Sequence, residues 1–504
     1  MMEHQYLPAT RNQHQPQHYQ PDSSCDERMM NGTVARRMAD EIHSEVKRIV
    51  QQSRLVRKPE QLSEIILVNA PTDLRVGQLL GSGAFSEVHA VEYYPPFTSS
   101  SQPQPPQRYA MKHLKQKLLS QPENFRLAAS ELAIEAHMLA SFHHPNIIQI
   151  HGWAQNGVAS FTQGRHDSFF LLLDCLEETL DQRIASWHKQ EVYRTALCDH
   201  QQPTTYSLVA DLLRSSTTTS SSSSVAKQVR LERQAVYLEK LIICTEIASA
   251  LAYLHSLGVI FRDLKPNNIG FLHGRVKLFD FGLSRELPGR QIDLTQPFHM
   301  SGKVGTLRYM APEVAMHAPY NVSSDVYSWA MVCYEVMTLQ KPFSGWTRDM
   351  HARLVCQGGM RPEVNDVNAV PLPLQHLLLA SWRHEAPLRP TMSTVYQTMR
   401  LFQEQELIAQ EAERVVQQQV VAAAAVAAAA HCYSPLPFLP SPTLSACHPY
   451  LQQPQAVVEL PRDFAMHKLG GRYNHNNGAA SSDTFTRSTM STSGVGSSLN
   501  EVFE

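Results

Sequence analysis

The sequence has few charged residues and no excess of either sign. Charged residues make up 18% of the 504, and 44 lysines and arginines are balanced by 46 aspartates and glutamates, which gives a formal charge of −2. Without a global basic field, we expect no binding to nucleic acid or to an anionic membrane surface. The longest apolar run, residues 420–430, is mostly alanine and too short to span a membrane.

The eight cysteines include no C-x-x-C pair and no close Cys/His quartet of the type that binds zinc. The 24 histidines are dispersed, so we expect them to be solvated or structural and not metal ligands. The amino-terminal residues lack the apolar stretch of a secretory signal. These features predict a cytoplasmic protein, with the nucleus as the alternative. A helical pattern at 391–430 lacks a sustained heptad, which favours a monomer.

Composition divides the chain into one globular region and several segments unsuited to packing. Hydrophobic residues make up 43% of the chain, enough for a sizeable core. We predict disorder at 1–33, an amphipathic helix at 34–57, a globular domain at 74–403 with disordered inserts at 94–108 and 193–227, a helical extension at 404–430 and a disordered tail at 431–504.

Within the globular region the hydrophobic periodicity changes in a definite order. Alternating runs rich in β-branched residues predict short strands at 74–94, 108–114, 146–153 and 168–174. One helical pattern, at 123–142, lies among them. From residue 238 onward apolar residues recur at spacings of three and four, which predicts a mainly helical second part. The expected fold class is α+β, with a small strand-rich lobe and a larger helical lobe.

The first strand ends in the segment LGSGAFSEV, residues 80–88. Gly81 and Gly83 have no side chain, so backbone N–H groups can approach a phosphate closely there. Taken alone, the pair is more typical of a flexible hairpin turn than of a phosphate-binding loop, and Ser86 occupies the place of a third glycine. A phosphate-binding loop and a plain turn both stay open from this segment alone.

Two charged residues further along have the spacing of a phosphate-binding pair. Residues 109–112 read YAMK, a strand in which Ala110 can line an adenine pocket while Lys112 reaches a phosphate. Glu135 follows in the next helix, at the place of a carboxylate that would hold Lys112 in register. A lone strand lysine is usually only solvated, so the helical carboxylate is what favours a functional role.

The most informative segment reads RDLKPNN and is followed twelve residues later by DFG. In this order the chain supplies Asp263, a carboxylate that can orient a hydroxyl nucleophile, and Lys265, a cation that can neutralise a transferred phosphoryl group. Asn268 and Asp280 supply oxygen ligands suited to Mg²⁺. Chance assembly of this set is very improbable.

Three further segments complete the pattern: GTLRYMAPE at 305–313, DVYSW at 325–329 and LRP at 388–390. Together these motifs resemble those of the eukaryotic protein kinases over about residues 74–403. The resemblance implies a two-lobed kinase fold that binds ATP and Mg²⁺ in the cleft and phosphorylates protein substrates. It further implies that Glu313 pairs with Arg389 and that Asp325 supports the backbone of the catalytic loop.

The resemblance assigns a role to each matching residue. The catalytic residues are expected to be Asp263, Lys265, Lys112 and Glu135, and the Mg²⁺ ligands Asn268 and Asp280. The nucleotide-binding residues are expected to be Leu80, Gly81, Ser82, Gly83, Ala84, Phe85, Val88, Ala110, Lys112, Leu173, Asp174 and Leu176, with Leu173 guarding the back pocket and residues 174–176 forming the hinge.

The acceptor type also follows from the resemblance. Lys265, two residues after Asp263, and Thr306 in the segment GTLRYMAPE resemble the serine/threonine type. The phrases FSEVHAVE, EAHMLASFHHPNII, LEETLDQRI and RDLKPNNIGF are similar to the tyrosine-kinase-like serine/threonine kinases of diatoms and related algae.

Three departures from the family pattern support an alternative. Phe261 replaces the usual His before Arg262, and Ser86 replaces a glycine. Gly270 replaces a bulky aliphatic residue, and this third departure predicts a loosely packed floor of the adenine pocket. The alternative is a pseudokinase, a nucleotide-binding scaffold without catalysis. No departure removes a charged catalytic group, so the active enzyme is preferred.

The segment between the DFG motif and Glu313 contains a candidate regulatory site. The resemblance implies that Ser301 lies where an activating phosphate falls, with Arg262 and Lys303 as cationic partners, and Thr295 is the reserve candidate. An ordinary loop serine is the alternative interpretation.

Overall fold

The computed structural model of the chain describes residues 30–55, 65–69, 73–95, 105–199, 220–289, 293–300, 305–364 and 369–431. Its strands are β1 Ile66–Val68, β2 Leu74–Ser82, β3 Ser86–Tyr93, β4 Gln107–Leu114, β5 Ile150–Ala154, β6 Phe170–Leu173, β7 Glu178–Thr179, β8 Val259–Ile260, β9 Ile269–Leu272, β10 Arg275–Leu278 and β11 Arg285–Glu286. Its α-helices are α1 Gly32–Gln52, α2 Pro122–Leu139, α3 Leu180–Asp199, α4 Ser220–Ser256, α5 Pro312–Ala315, α6 Ser323–Thr338, α7 Arg348–Met350, α8 Leu372–Ser381 and α9 Met392–His431.

A six-stranded sheet forms the small lobe, in the order β1-β5-β6-β4-β3-β2. β1 pairs with β5 in parallel, and the other neighbours are antiparallel. Val88 lies opposite Lys112, and Glu87 lies opposite His113. Because side chains alternate between the two faces of a strand, the first pair lies on one face of the sheet and the second pair on the other.

The large lobe is organised around α6, whose residues are almost all buried. Trp329 in this helix is fully buried and donates its indole N–H to the backbone carbonyl of Cys244 in α4, at 3.0 Å. The indole therefore adds a large apolar surface to the core without leaving a buried donor unpaired. The predicted α+β fold, with a strand-rich small lobe and a helical large lobe, is confirmed.

The helix before the small lobe differs in its bounds from the prediction of 34–57, because α1 ends at Gln52. Asn31 caps its start by accepting the backbone N–H of Thr33, at 3.0 Å. Its buried residues recur at helical spacing and pack on α2 and on the 3-10 turn Gly157–Gln163: Ala35, Met38, Ala39, Ile42 and Val46. Ser53 takes an extended backbone and ends the helix.

The inserts also differ from the predicted disorder at their edges. α3 continues to Asp199 and α4 begins at Ser220, both inside the range 193–227, and β4 begins inside the range 94–108. Cross-helix ion pairs explain why α3 and α4 extend so far: Arg194 pairs with Glu232 at 3.1 Å and Arg233 pairs with Glu191 at 2.7 Å. The Ser- and Thr-rich sequence between the two helices gives no indication of this pairing. Residues 96–104 and 200–219 of the inserts, Ser301 and most of both termini lie outside the described residues.

The carboxy-terminal helix α9 runs without interruption through the predicted domain boundary at residue 403. Its middle crosses the beginning of α4, where Glu413 accepts hydrogen bonds from Arg230 and from Gln234, both at 2.8 Å. The predicted extension is therefore the second part of one helix that contacts the large lobe. Among the helices that the structure describes, none combines the length and apolar character needed to span a bilayer.

Candidate active site

The strand lysine and the helical glutamate meet at the centre of the small lobe. Lys112 of β4 donates to both carboxylate oxygens of Glu135 in α2, at 2.9 and 2.8 Å, and to Oδ1 of Asp280, at 3.0 Å. Lys112 and Glu135 are buried. Burial alone lowers the pKa of Lys112, but the two carboxylates outweigh it and hold that pKa above its ordinary value. Lys112 is therefore a fixed cation at the edge of the cleft.

Asp280 has a left-handed backbone, φ 64° and ψ 72°, at the start of the DFG turn. The cation of Lys112 holds the pKa of its carboxyl below its usual range. The next residue, Phe281, donates its backbone N–H to Oε1 of Glu135, at 3.1 Å. One glutamate thus fixes both the strand lysine and the DFG turn, which is why a non-glycine residue can keep positive φ here.

The Phe281 ring packs in an apolar stack beneath this turn. It meets Phe261 edge-on with ring centroids 5.1 Å apart, and Phe142 lies 5.4 Å away on another side. Phe261 and Phe281 are both fully buried. Where the family pattern has an imidazole, this chain supports the DFG turn by aromatic packing.

Asp263 lies across the cleft within a compact set of polar contacts. Its Oδ2 accepts from Nζ of Lys265, at 2.8 Å, and from Nδ2 of Asn268, at 2.9 Å. Its Oδ1 accepts the backbone N–H of Thr306, at 3.1 Å. The carboxylate is thus held in one orientation beside a cation and an amide, an arrangement that can position a hydroxyl group next to a phosphoryl group.

Asp325 of α6 holds the backbone of this loop from below. It accepts the N–H groups of Phe261 and Arg262, at 2.8 and 2.9 Å, and its Oδ2 lies 3.0 Å from Nε2 of His255. Arg262 has φ 76°, so these hydrogen bonds stabilise a strained conformation. The expected role of Asp325 as a backbone support is confirmed.

The glycine-rich segment forms the turn between β2 and β3. Gly83 donates its N–H to the carbonyl of Ser86 at 2.9 Å and closes the turn. A Cβ built on Gly81 would have no atom within 4 Å, so there is open space beside its backbone. The predicted nucleotide-binding residues of this turn are all exposed: Leu80, Gly81, Ser82, Gly83, Ala84 and Phe85.

The other predicted nucleotide-binding residues lie deeper, on neighbouring elements. Ala110 of β4 is opposite Leu173 of β6, and both are buried, while Val88 and Leu176 are half-buried. Asp174 is buried and accepts at Oδ2 the backbone N–H of Gln149, at 2.9 Å.

The packing around Gly270 corrects the expectation of a loosely packed pocket floor. A Cβ on Gly270 would come within 2.5 Å of Cδ1 of Leu176 and within 3.2 Å of the carbonyl oxygen of Glu178. The Leu176 side chain therefore occupies the space that a larger residue at position 270 would take.

We predict that Gly270→Ala weakens ATP binding about tenfold, which corresponds to about 1.4 kcal/mol, because the new methyl group pushes Leu176 toward the adenine space. Isothermal titration with ATP analogues measures this. Arg275→Ala, which changes an exposed residue of β10 in the same hairpin, is a control for general damage to the β9–β10 hairpin. Unchanged affinity in Gly270→Ala would show that Leu176 does not form the floor.

The donor chemistry of the site fits ATP and Mg²⁺. Asp280 offers a carboxylate, and Asn268 keeps its amide oxygen for a metal because its Nδ2 is the atom that donates to Asp263. Oxygen donors of this kind are the ligands that Mg²⁺ prefers. Lys112 and the backbone of the glycine turn provide cationic and N–H partners for phosphates.

Sequence reasoning missed one contact that links α1 to the segment after DFG. Arg54, just past the end of α1, donates its Nε and backbone N–H to Oε1 of Glu286, both at 2.9 Å, and its Nη2 to the carbonyl of Leu287. Ser53 donates to the other carboxylate oxygen at 2.7 Å. The partners are 232 residues apart, so no short motif could reveal the contact.

We predict that Arg54→Ala lowers the free energy of unfolding by about 1 to 2 kcal/mol, because a partly buried carboxylate loses charge-assisted hydrogen bonds. Urea unfolding measures the change. Arg48→Ala, which removes an exposed arginine paired with Glu45 on α1, should change stability by less than about 0.5 kcal/mol. Equal stability of the two variants would mean that the Arg54 contact contributes nothing.

Comparison with known proteins identifies the family. A family model described as "Protein kinase domain" matches residues 74–400. The chain belongs to the protein kinase family, whose domains use ATP and Mg²⁺ to phosphorylate proteins.

The relatives are distant and are named as serine/threonine kinases or related enzymes. Serine/threonine/tyrosine-protein kinase HT1 of Arabidopsis thaliana is 36% identical over 170 residues, 32% of this chain and 40% of that protein. Serine/threonine-protein kinase STY17 of the same plant is 33% identical over 158 residues, 31% of this chain and 26% of that protein. Ribosomal protein S6 kinase 2 alpha of Xenopus laevis is 29% identical over 280 residues, 55% of this chain and 28% of that protein. The chain spans less than half the length of each.

Proposed function

We propose that this protein is an active kinase that transfers the γ-phosphoryl group of ATP to serine or threonine hydroxyls of protein substrates. The observation that carries the proposal is the contact of Lys112 with both Glu135 and Asp280. This contact connects helix α2, the strand lysine and the DFG turn. Asp263, with Lys265 as its cationic partner and Asn268 as its amide partner, lies on the other side of the cleft.

Each charged residue has one task in the proposed reaction. Asp263 accepts the proton of the substrate hydroxyl. The hydroxyl oxygen forms a bond to the γ-phosphorus while the bond from that phosphorus to the β–γ bridging oxygen breaks, and ADP leaves. Lys265 offsets charge on the transferred group, and Lys112, oriented by Glu135, holds the other phosphates. Mg²⁺, when bound at Asn268 and Asp280, neutralises charge on the phosphate oxygens.

Two features support serine or threonine as the acceptor. Lys265 stands two residues after Asp263 and donates to it, and several relatives are named as serine/threonine-protein kinases. We also propose that the chain falls within the tyrosine-kinase-like group, near the enzymes of diatoms and related algae. The Arabidopsis relatives named above are consistent with that group.

We predict that the purified full chain, with radiolabelled ATP and Mg²⁺, labels a general protein substrate on serine and threonine, because the catalytic charges are complete. Phosphoamino acid analysis identifies the acceptor, and chelation of Mg²⁺ should stop the labelling. ATP binding without transfer would favour the pseudokinase alternative, for which Phe261 is the main observation. Phosphotyrosine as the main product would overturn the acceptor assignment.

We further propose a cytoplasmic location, with the nucleus as the alternative, and a monomeric state. The cysteines whose side chains the structure describes are free thiols: Cys175, Cys244, Cys333 and Cys356. Unpaired cysteines suit a reducing compartment. Fluorescence microscopy of the tagged full chain and light scattering of the purified protein test the two statements.

A further inference from the structure

A second group of potential metal ligands lies on the face of the small-lobe sheet opposite Lys112. Glu87 and His89 are two residues apart on β3, so their side chains share one face, and His113 on β4 is directly opposite Glu87. One donor atom from each residue lies within 4.8 Å of the other two. No residue of this group takes part in the proposed phosphoryl transfer.

The two imidazoles face each other through ring nitrogens. Nδ1 of His89 lies 3.1 Å from Nε2 of His113. Two nitrogens bound to one tetrahedral Zn²⁺ are about 3.3 Å apart, given Zn–N bonds of about 2.0 to 2.1 Å. The separation in the chain is therefore close to the separation that a shared metal ion requires.

The tautomer of His113 is fixed by its other nitrogen. Nδ1 of His113 lies 2.9 Å from the backbone carbonyl of Leu114, which can accept its proton. Nε2 then carries a lone pair directed at His89. A histidine ligand whose second nitrogen is held by a carbonyl is the usual arrangement around protein-bound metals.

The surroundings add potential metal ligands that a simple hydrogen bond between the two rings does not need. An imidazole pair needs no anion, yet the Glu87 carboxylate lies on the same face. A third ring, His166, stacks obliquely on His113 with centroids 5.7 Å apart and lies on the loop before β6.

We propose that Glu87, His89 and His113 form a binding site for one divalent transition-metal ion of the Zn²⁺ type. Two nitrogen donors and one carboxylate suit Zn²⁺ and disfavour Mg²⁺ and Ca²⁺, which take oxygen donors. A fourth position stays open for water or for His166. The bound ion joins β3 to β4, the strands that carry the end of the glycine turn and Lys112, and so stiffens the small lobe.

The site is tested by metal binding to the purified, chelator-stripped full chain in the absence of ATP. We expect the protein to bind one equivalent of Zn²⁺ with a dissociation constant at or below about 1 μM. Competition with a chromophoric chelator for Zn²⁺ measures this affinity. Co²⁺ as a probe should give the visible absorption of a tetrahedral ion with nitrogen ligands. Saturating Zn²⁺ should raise the thermal midpoint by about 3 °C or more.

Variants separate this site from adventitious binding by other histidines. His89→Ala and Glu87→Gln change partly exposed residues. Each substitution should lower the affinity for the single Zn²⁺ ion at least about 100-fold, which is more than the loss of an outer-shell partner produces. His113→Gln changes a buried ligand and serves as a third test if circular dichroism shows that it folds. His137→Ala, a partly buried histidine on α2 stacked near Trp153, should bind Zn²⁺ as the unaltered chain does. The proposal is overturned if the unaltered chain binds no Zn²⁺ at micromolar concentration, or if His89→Ala and Glu87→Gln retain its full affinity.

Discussion

Replacing Asp263 with Asn is expected to lower the rate of phosphoryl transfer about 10³-fold while ATP affinity changes less than about threefold. An asparagine keeps the shape of the side chain and can still accept from Lys265, but it cannot take the proton of the substrate hydroxyl. Asp263 contacts Lys265, Asn268 and the backbone of Thr306 and lies apart from the Lys112–Glu135 pair. Single-turnover kinetics and titration with ATP measure the two quantities separately.

A matched control is Asp349→Asn, an exposed aspartate of α7 that pairs with Arg353. Its turnover should equal that of the unaltered chain. If Asp263→Asn also kept the original turnover, the carboxylate would have no role in proton removal and the proposed mechanism would be wrong. If ATP binding were lost together with turnover, Asp263 would act by supporting the nucleotide site.

The charged residues of the candidate site could be identified from the sequence because each lies in a short motif. The loop from Phe261 to Asn268 contains Asp263, Lys265 and Asn268 close together in sequence, so their proximity in the structure follows from chain connectivity. The same is true of the DFG turn. The long-range pairing of Lys112 with Glu135 followed from the resemblance, and the structure brings the two into contact.

Features that depend on distant segments could not be predicted in this way. Gly270 alone suggested a loose pocket floor, because the sequence does not reveal that the side chain of Leu176 fills the space. The dispersed histidines gave no indication of the contact between His89 and His113, because the two come together only through the register of β3 and β4. A register that differed by one residue would place them on opposite faces of the sheet.

The insert between α3 and α4 illustrates a second limit. The low complexity of residues 215–224 favours disorder. Local composition is the only basis for a sequence-based prediction in this segment. Arg194 and Glu191 stabilise the end of α3 only because residues of α4 lie beside them. Helix length is therefore decided by tertiary contacts that local propensity does not contain.

Replacing Arg389 with Leu is expected to lower the free energy of unfolding by about 3 to 5 kcal/mol. The guanidinium is fully buried and donates to both carboxylate oxygens of Glu313, at 2.6 and 2.9 Å, as the family resemblance implied. It also donates to the backbone carbonyls of Ser323, Arg383 and His384. Removing the cation leaves Glu313 and these carbonyls without their buried partner, and desolvation of the remaining carboxylate dominates the loss.

Urea unfolding of three variants distinguishes this explanation from a simple loss of packing. Arg389→Leu combined with Glu313→Leu should recover part of the stability, because the uncompensated charge is gone. Arg353→Leu, an exposed arginine paired with Asp349, should cost less than about 0.5 kcal/mol. If the double variant were no more stable than Arg389→Leu, the unpaired carboxylate would not be the source of the loss, and the backbone carbonyls that Arg389 holds would account for it.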